Sequence, residues 1–338
     1  MIETVQFGTS GLRVSQMALG TMMFGTQADL TTARAIADYA LDHGVYFWDT
    51  ADMYGRGASE EVCGQLLKGR RDEVVLATKV YAPMSDRPND RGLSAKHIIS
   101  ACDASLNRLQ TDYIDLYYLH LPDQSVPIEE TLRAMEDLRR SGRVRYIACS
   151  NYRAWEVVRL MSCAERHGWQ PISGIQPLYN LVNRDIEVEL LPMATHHGLG
   201  VTTYSPLARG ILTGKYARGQ VPAQSRLDRR DRRFLQAEWR PESVAVAEAL
   251  RPTALELGCT LGQLATAWVM HNRCVHSVII GPKSLEQAQE SIASAQVVIS
   301  DDIEDHVDQL VPPGCHSGRG FFDTNYTPVL GRQRRSAR

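Results

Sequence analysis

The 338-residue sequence lacks the features that define several large classes of protein. No apolar run approaches the roughly 18 residues that a membrane span requires. The first residues form neither a basic nor an apolar segment, so no secretory signal is indicated and we expect a cytoplasmic protein. The formal net charge of −2 gives no reason to expect nucleic acid as a partner.

Paired cysteines and complete metal-ligand sets are also missing. Seven cysteines are scattered without a C-x-x-C pair, which favours reduced thiols over a disulfide framework. His196-His197 and residues 271–274 contain side chains that can bind a metal ion. No further ligand completes either group, so we expect no metal site. Residues 55–57 (GRG) lack the third glycine of a Rossmann fingerprint, and residues 210–216 (GILTGKY) lack the spacing of a P-loop.

What the sequence does contain is a regular alternation of short apolar runs with longer amphipathic stretches. The runs at 74–79, 114–120, 144–150 and 278–281 are apolar enough to be strands buried on both faces. Amphipathic helices are predicted over 33–43, 128–140, 155–167 and 261–271, and Ser94 and Thr260 stand where N-caps are expected. The predicted strand ends are Gly20, Asp49, Lys79, His120, Ser150, Gln176, Tyr204 and Gly281.

Eight strand-then-helix units predict a (β/α)₈ TIM barrel rather than an open doubly wound sheet. The long interval between Tyr204 and Gly281 predicts an insertion after strand 7, at about 208–258. Residues 4–14 resemble a β-hairpin that would plug the barrel floor. No linker marks a second domain, so we expect one barrel over 1–311 and an irregular tail over 312–338.

Polar residues at neighbouring strand ends suggest an active site, because a TIM barrel builds its site at the carboxyl ends of its strands. Asp49, Lys79 and His120 are three of them, and Tyr54 follows in the loop after Asp49. A Lys ammonium should lower the pKa of a nearby phenol, an Asp should hold the ammonium in place, and a His can hydrogen-bond the substrate oxygen. Such a set can protonate an alkoxide as hydride arrives at carbon. A hydrolase or lyase that uses the carboxylates of Asp49 and Asp52 is the alternative that these residues leave open.

Seven short segments follow one another along the chain in a recognisable order. They are 47–55 (FWDTADMYG), 77–79 (ATK), 117–120 (YYLH), 147–151 (IACSN), 175–180 (IQPLYN), 203–207 (TYSPL) and 279–287 (IIGPKSLEQ). Together they closely resemble the aldo-keto reductase superfamily over about residues 3–300. The branch that the chain most resembles, judged from residues 210–226, includes potassium-channel β subunits and bacterial stress-type reductases. At the catalytic histidine position the channel subunits typically carry Asn, whereas this chain has His120.

The resemblance implies an NADP(H)-dependent reductase whose catalytic tetrad is Asp49, Tyr54, Lys79 and His120, with Tyr54 as general acid and base. It also implies a set of cofactor contacts around the mouth of the barrel, at Thr21, Met22, Asp49, Ser150, Asn151, Gln176, Tyr204, Ser205, Pro206, Leu207, Arg209, Gly210, Lys215, Arg226, Gly281, Lys283, Gln287, Glu290 and Ser291. The chain departs from the family at Ser291, where Asn is usual, and at Lys283, where many members carry Arg.

The expected partner is a small aldehyde, ketone or alcohol in a mostly apolar pocket. Candidates for its walls are Met23, Phe24, Tyr81 and Leu121, with Phe321 and Phe322 from the tail. NADP(H) is the expected cofactor and NAD(H) a possible one, because no acidic residue occupies positions 282–285 to grip a ribose diol. A non-enzymatic NADP(H)-binding sensor of the channel-β type is the alternative function. The sequence gives no indication of the substrate's identity, the direction of the reaction or the oligomeric state.

Overall fold

Eight parallel strands close into a barrel in the computed structural model, which describes residues 1–216, 221–223, 225–231, 234–235 and 238–318. Two short antiparallel strands precede the barrel, and helices separate its strands. The predicted (β/α)₈ barrel with an N-terminal hairpin is therefore confirmed. The strands are β1 (Thr4–Gln6), β2 (Arg13–Ser15), β3 (Met17–Gly20), β4 (Phe47–Asp49), β5 (Val75–Val80), β6 (Ile114–Leu119), β7 (Val144–Ser150), β8 (Gly174–Gln176), β9 (Gly200–Thr203) and β10 (Ser277–Ile280).

The helices lie between the barrel strands and beyond the last one. Side-chain caps begin several of them: Ser94 accepts from the His97 N–H, and Thr260 and Gln263 form a capping box. The described helices are α1 (Leu30–Asp42), α2 (Ala58–Leu67), α3 (Ala95–Leu109), α4 (Ile128–Arg140), α5 (Ala154–His167), α6 (Leu190–His196), α7 (Pro241–Ala249), α8 (Arg251–Glu256), α9 (Leu261–His271), α10 (Leu285–Ala293) and α11 (Asp301–Leu310). None of these is both long and apolar enough to cross a bilayer.

The strand order around the barrel is β10-β3-β4-β5-β6-β7-β8-β9, so each strand lies beside its neighbours in sequence and β10 closes on β3. Each barrel strand runs parallel to its neighbours, and β4, β5 and β6 are consecutive around the barrel. Their carboxyl ends therefore meet at one edge, which is the mouth of the barrel.

The hairpin closes the opposite end. Phe7, in its turn, is fully buried and lies edge-on to Phe47 with ring centroids 6.4 Å apart. A Cβ on Gly174 or Gly200 would lie 2.4 Å from the Phe7 ring, so these two strands accept the ring only because they carry glycine there. The Thr9 N–H donates to the Gly198 carbonyl at 2.8 Å and ties the turn to the loop before β9.

The buried apolar residues form two separate clusters. A small one fills the barrel interior and a large one lies between the strands and the surrounding helices. The interior cluster consists of Phe7, Leu12, Val14, Ala18, Phe47, Ala77, Leu116, Tyr118, Ala148 and Ile279. This packing leaves the polar groups of the strand ends above the interior cluster, at the mouth.

Candidate active site

Asp49, Lys79 and His120 come together at the mouth because they end or follow three adjacent strands. Asp49 is the last residue of β4, Lys79 the penultimate residue of β5, and His120 follows β6. Tyr54 begins a 3₁₀ turn, Tyr54–Gly57, that carries its ring back over these strand ends. All four side chains that were predicted to act together are thus neighbours.

The Lys79 ammonium is the centre of this group and is fully buried. Its Nζ lies 2.5 Å from Asp49 Oδ2, 2.8 Å from the Thr50 carbonyl oxygen and 3.3 Å from the Tyr54 hydroxyl. Three oxygen acceptors therefore use the three N–H bonds of the ammonium, one of them the phenol. Lys79 is held in one orientation, with one proton directed at Tyr54.

Burial and charge act in opposite directions on this pair. Burial raises the pKa of Tyr54, and the nearby Lys79 ammonium only partly offsets it. The net direction is the reverse of the one expected from sequence, because the desolvation of the phenolate outweighs the attraction of the ammonium. For Lys79, burial opposes the charged form, but Asp49 and Tyr54 outweigh it and raise the pKa of Lys79. At neutral pH the phenol is therefore protonated and the amine charged.

His120 lies beside Tyr54, with ring centroids 6.2 Å apart and the rings nearly perpendicular. Burial, with a smaller contribution from the Lys79 charge, lowers the pKa of His120 to about 3. Its Nδ1 is buried and has no hydrogen-bond partner among the described residues. The imidazole is therefore neutral, so it can orient an oxygen by hydrogen bonding without adding charge.

A chain of hydrogen bonds continues from Asp49 around the mouth. The Gln176 amide donates to Asp49 Oδ1 at 2.7 Å, and the Ser150 hydroxyl donates to the Gln176 carbonyl at 2.8 Å. The Asn151 amide donates to Ser150 Oγ at 2.9 Å, and the Tyr204 hydroxyl donates to Asn151 Oδ1 at 2.7 Å. Four residues predicted only as separate cofactor contacts therefore form one network with the Asp49 carboxylate.

A group of cations lies around the loop that follows β9. Burial lowers the pKa of Lys215, and repulsion from Lys283, Arg226 and Arg229 lowers it further. Mutual repulsion of this kind indicates that the cations converge on one region, which would favour a polyanionic ligand there. The Arg226 guanidinium is paired with Asp231, with Nη1 and Oδ2 2.6 Å apart.

A family model described as "Aldo/keto reductase family" matches residues 16–312. The chain belongs to the aldo/keto reductase family. Three relatives cover nearly all of it. Proteins named "Probable voltage-gated potassium channel subunit beta" from Arabidopsis thaliana and from Oryza sativa subsp. japonica are each 39% identical over 312 residues, 90% of this chain and 95% of theirs. The "Uncharacterized oxidoreductase YrpG" of Bacillus subtilis (strain 168) is 38% identical over 334 residues, 95% of this chain and 99% of its own.

Further cofactor candidates of this aldo/keto reductase lie just after the first barrel strand and in the segment that runs from the end of the last barrel strand through α10. Thr21 is buried and its hydroxyl donates to the Asp49 carbonyl, whereas the Met22 side chain is exposed. The Gln287 Oε1 accepts from the Lys283 N–H at 3.0 Å, and Glu290 Oε1 accepts from the Thr260 hydroxyl at 2.7 Å. Gly281 and Ser291 flank this segment, with Gly281 exposed and Ser291 half-buried.

The four pocket candidates have different surroundings in the aldo/keto reductase. Tyr81 and Leu121, which follow β5 and β6, are half-buried beside the mouth. Met23 is largely buried, and Phe24 is fully buried in the outer core. Phe321 and Phe322 lie outside the described residues. In the part of the chain that is described, no three His, Cys, Asp or Glu side chains are arranged to hold a metal ion.

Asp52 carries a carboxyl group whose burial could not be predicted from the sequence. It has no exposed surface, and neither of its oxygens has a hydrogen-bond partner among the described residues. Burial, together with the neighbouring carboxylate of Glu60, raises the pKa of Asp52 to about 8. Because Asp52 is enclosed and Asp49 is engaged by Lys79 and Gln176, the geometry disfavours the carboxylate-based hydrolase or lyase.

The buried carboxyl of Asp52 should make the fold less stable as pH rises. An unfolded Asp releases its proton near pH 4, while the folded chain holds that proton until about pH 8. The free energy of unfolding should therefore fall between about pH 4 and 8. We expect Asp52→Asn to remove this slope, so that its stability relative to wild type improves by up to ~1.4 kcal/mol per pH unit. Urea unfolding of both proteins at several pH values measures this difference in the free energy of unfolding.

The exposed Asp86 supplies the control, because Asp86→Asn makes the same chemical change without a buried carboxyl. Its stability should follow the wild-type pH profile. An Asp52→Asn profile parallel to that of wild type would contradict a protonated Asp52, whatever the constant offset caused by the new amide group.

Proposed function

We propose that the chain is an NADP(H)-dependent reductase that moves hydride between the nicotinamide and a small aldehyde or ketone, or the corresponding alcohol, with Tyr54 as general acid and base. The observation that carries this proposal is the buried Lys79 ammonium, which lies 2.5 Å from Asp49 and 3.3 Å from the Tyr54 hydroxyl. An uncharged His120 beside the phenol supports it.

The residues at the mouth fit a dinucleotide cofactor. The loop after β9 makes a tight turn with three residues other than glycine at positive φ, Ser205, Ala208 and Arg209, and the N–H groups of Ala208 and Arg209 donate to Ser205 within it. Lys215, Lys283 and Arg226 would supply positive charge for the phosphates. Ser150, Asn151 and Gln176 would hold the carboxamide, and Tyr204 would stack on the ring. When bound, the cofactor supplies or accepts the hydride.

In the reduction direction, Tyr54 donates a proton to the carbonyl oxygen as negative charge develops on it. Its raised pKa keeps the phenol protonated at neutral pH, and the Lys79 ammonium offsets part of the cost of losing that proton. The Lys79 ammonium then stabilises the phenolate that remains, since it already lies at hydrogen-bond distance from that oxygen. Asp49 keeps Lys79 charged, and His120 orients the substrate oxygen toward the phenol.

A cofactor-binding sensor is the second candidate, because two relatives are named as potassium channel β subunits. His120 and the assembled tetrad favour catalysis. The compartment we propose is the cytoplasm, since the seven cysteines are free and four of them are buried, which fits a reducing environment.

Binding and turnover separate these possibilities. We expect NADPH fluorescence to change on addition of the protein and 4-nitrobenzaldehyde to be reduced with NADPH. Absence of any change on mixing would contradict both nicotinamide-dependent functions. Binding without turnover, across a panel of aldehydes and ketones, would favour the sensor.

A further inference from the structure

Tyr54 stands at the start of a turn whose backbone is strained. The three residues that follow it, Gly55, Arg56 and Gly57, all have positive φ, at 58°, 55° and 97°. Arg56 is the costly one, since residues other than glycine seldom adopt that conformation. Within the described chain the Tyr54 hydroxyl makes one hydrogen bond, with Lys79, so the position of the phenol depends largely on the turn. Strained turns persist only where neighbouring structure holds them.

The Arg108 side chain, from the last turn of α3, packs directly against this turn. A Cβ on Gly57 would lie 2.7 Å from Arg108 Cδ and 2.9 Å from its Nε, closer than real Cβ contacts. Only a glycine backbone permits so close an approach. A Cβ on Gly55 would in turn lie 2.9 Å from Thr26 Cγ2, so the turn is confined at two of its residues.

Glu60 fixes the Arg108 side chain in that position. It lies in the first turn of α2 without exposed surface, and its Oε2 lies 2.7 Å from both Nε and Nη2 of Arg108. Its other oxygen, Oε1, accepts a hydrogen bond from the Thr78 hydroxyl at 2.5 Å. Thr78 immediately precedes Lys79 in β5. One buried carboxylate therefore joins the guanidinium packed against the Tyr54 turn to the strand that carries the Lys79 ammonium.

We propose that Arg108 and Glu60 are positioning residues, which hold the Tyr54 hydroxyl 3.3 Å from Lys79 Nζ. This inference rests on the proposed function, in which Tyr54 donates the proton. Two charge-assisted hydrogen bonds to one carboxylate restrict the guanidinium, so the Arg108 stem acts as a fixed support for the turn. Such support matters because a displacement of about 1 Å at a reacting group can cost roughly 10²-fold in rate.

The test is a double-mutant cycle between Arg108→Ala and Tyr54→Phe, measured as kcat for reduction of 4-nitrobenzaldehyde at saturating NADPH. In the wild-type background Arg108→Ala should lower kcat about 10-fold or more, with NADPH affinity unchanged. In the Tyr54→Phe background the same change should cost less than about 3-fold, because no transferable proton is left to misplace. Arg108→Lys should retain most of the activity, since it keeps the stem beside Gly57 and a cation for Glu60.

Arg71→Ala is the matched control, because Arg71 also forms a largely buried ion pair, but at the amino ends of β5 and β6. Its Nη2 lies 2.6 Å from Asp115 Oδ2. Arg71→Ala should lower the free energy of unfolding and leave kcat unchanged in both backgrounds. Urea unfolding shows whether each variant is folded under the assay conditions.

Glu60→Gln takes the place of Arg108→Ala in the cycle if the latter does not fold. It removes the charge that fixes Arg108 while nearly keeping the size of the side chain. A loss in kcat of about 3- to 10-fold, confined to the background that retains Tyr54, is expected.

Equal losses in the wild-type and Tyr54→Phe backgrounds would overturn the proposal, because they would show that the ion pair acts on the fold and not through Tyr54. Full activity in folded Arg108→Ala would overturn it as well. Either result would leave the reductase function intact, provided that Tyr54→Phe alone is severely impaired. Near-wild-type turnover in Tyr54→Phe alone would instead contradict the proposed function, and this inference with it.

Discussion

Tyr54→Phe is expected to reduce turnover of any accepted aldehyde by roughly 100-fold or more, the usual effect of losing a positioned acid. The change removes one hydroxyl, and with it the only proton that the Tyr54 ring can transfer. Lys79 keeps its contacts with Asp49 and Thr50, so the site should retain its shape. NADPH affinity should change little. Steady-state rates and fluorescence titration of the same preparation measure both quantities.

Tyr117→Phe is the control, because it makes the same chemical change at a tyrosine that is fully buried in the outer core and not at the mouth. Its hydroxyl has no partner in the described part of the chain, so its removal costs no hydrogen bond there. Full activity in Tyr117→Phe beside a severe loss in Tyr54→Phe would assign the effect to the Tyr54 proton. Near-wild-type turnover in Tyr54→Phe would show that another group donates it.

Lys283→Ala is expected to weaken NADPH binding by roughly 10- to 150-fold and NADH binding hardly at all. The adenosine 2′-phosphate of NADPH needs cationic partners, and Lys283 immediately precedes Ser284, the N-cap of α10. Free N–H groups and the helix dipole also favour a phosphate at that position. In wild type, kcat/KM with one aldehyde should therefore be higher for NADPH than for NADH.

The control is Lys68→Ala, an equal loss of charge at the end of α2, which lies away from the mouth. It should alter neither cofactor's affinity. One charge works against NADPH: the exposed Glu286 stands in the first turn of α10, and its pKa is lowered, chiefly by Ser284. A cofactor ratio at or below one would contradict the expected preference for NADPH.

The barrel could be predicted from the sequence, because the alternation of apolar runs with amphipathic stretches follows directly from the alternation of strands and helices in this fold. Parallel strands covered on both faces are continuous apolar runs, and each must be followed by a crossover helix. The predicted ends at Gly20, Asp49, Ser150 and Gln176 are the observed ends, and the others differ by one residue. Capping residues such as Thr260 added helix starts that do not depend on tertiary contacts.

The candidate site could be predicted as a set of positions but not as a network. Which strand ends meet follows from strand order, so Asp49, Lys79 and His120 were within reach of sequence reasoning. That Gln176 donates to Asp49 depends on side-chain conformations across the mouth of the barrel, which no local pattern encodes. The pKa direction of Tyr54 likewise depends on how deeply its ring is enclosed.

The sequence also did not predict which individual loop residues are buried. Asp52 and Phe24 stand in loops at the mouth, where exposure is the usual expectation. Both are completely enclosed, because the segments after β3 and β4 fold back onto the outer core. For Asp52 this enclosure is decisive, since the same side chain in solvent would be an ordinary carboxylate.

The hairpin floor also bears on the order in which the chain folds. Phe7 precedes all eight barrel strands in the chain, but three residues around its ring, Gly174, Gly200 and His276, come much later in the sequence. Contacts so distant in sequence require closure of a long loop, which is slow and entropically costly. The ring of Phe7 therefore has no binding place until the last barrel strands exist. The contacts of Phe7 should therefore form after the rate-limiting step of folding. They should slow unfolding much more than they speed folding.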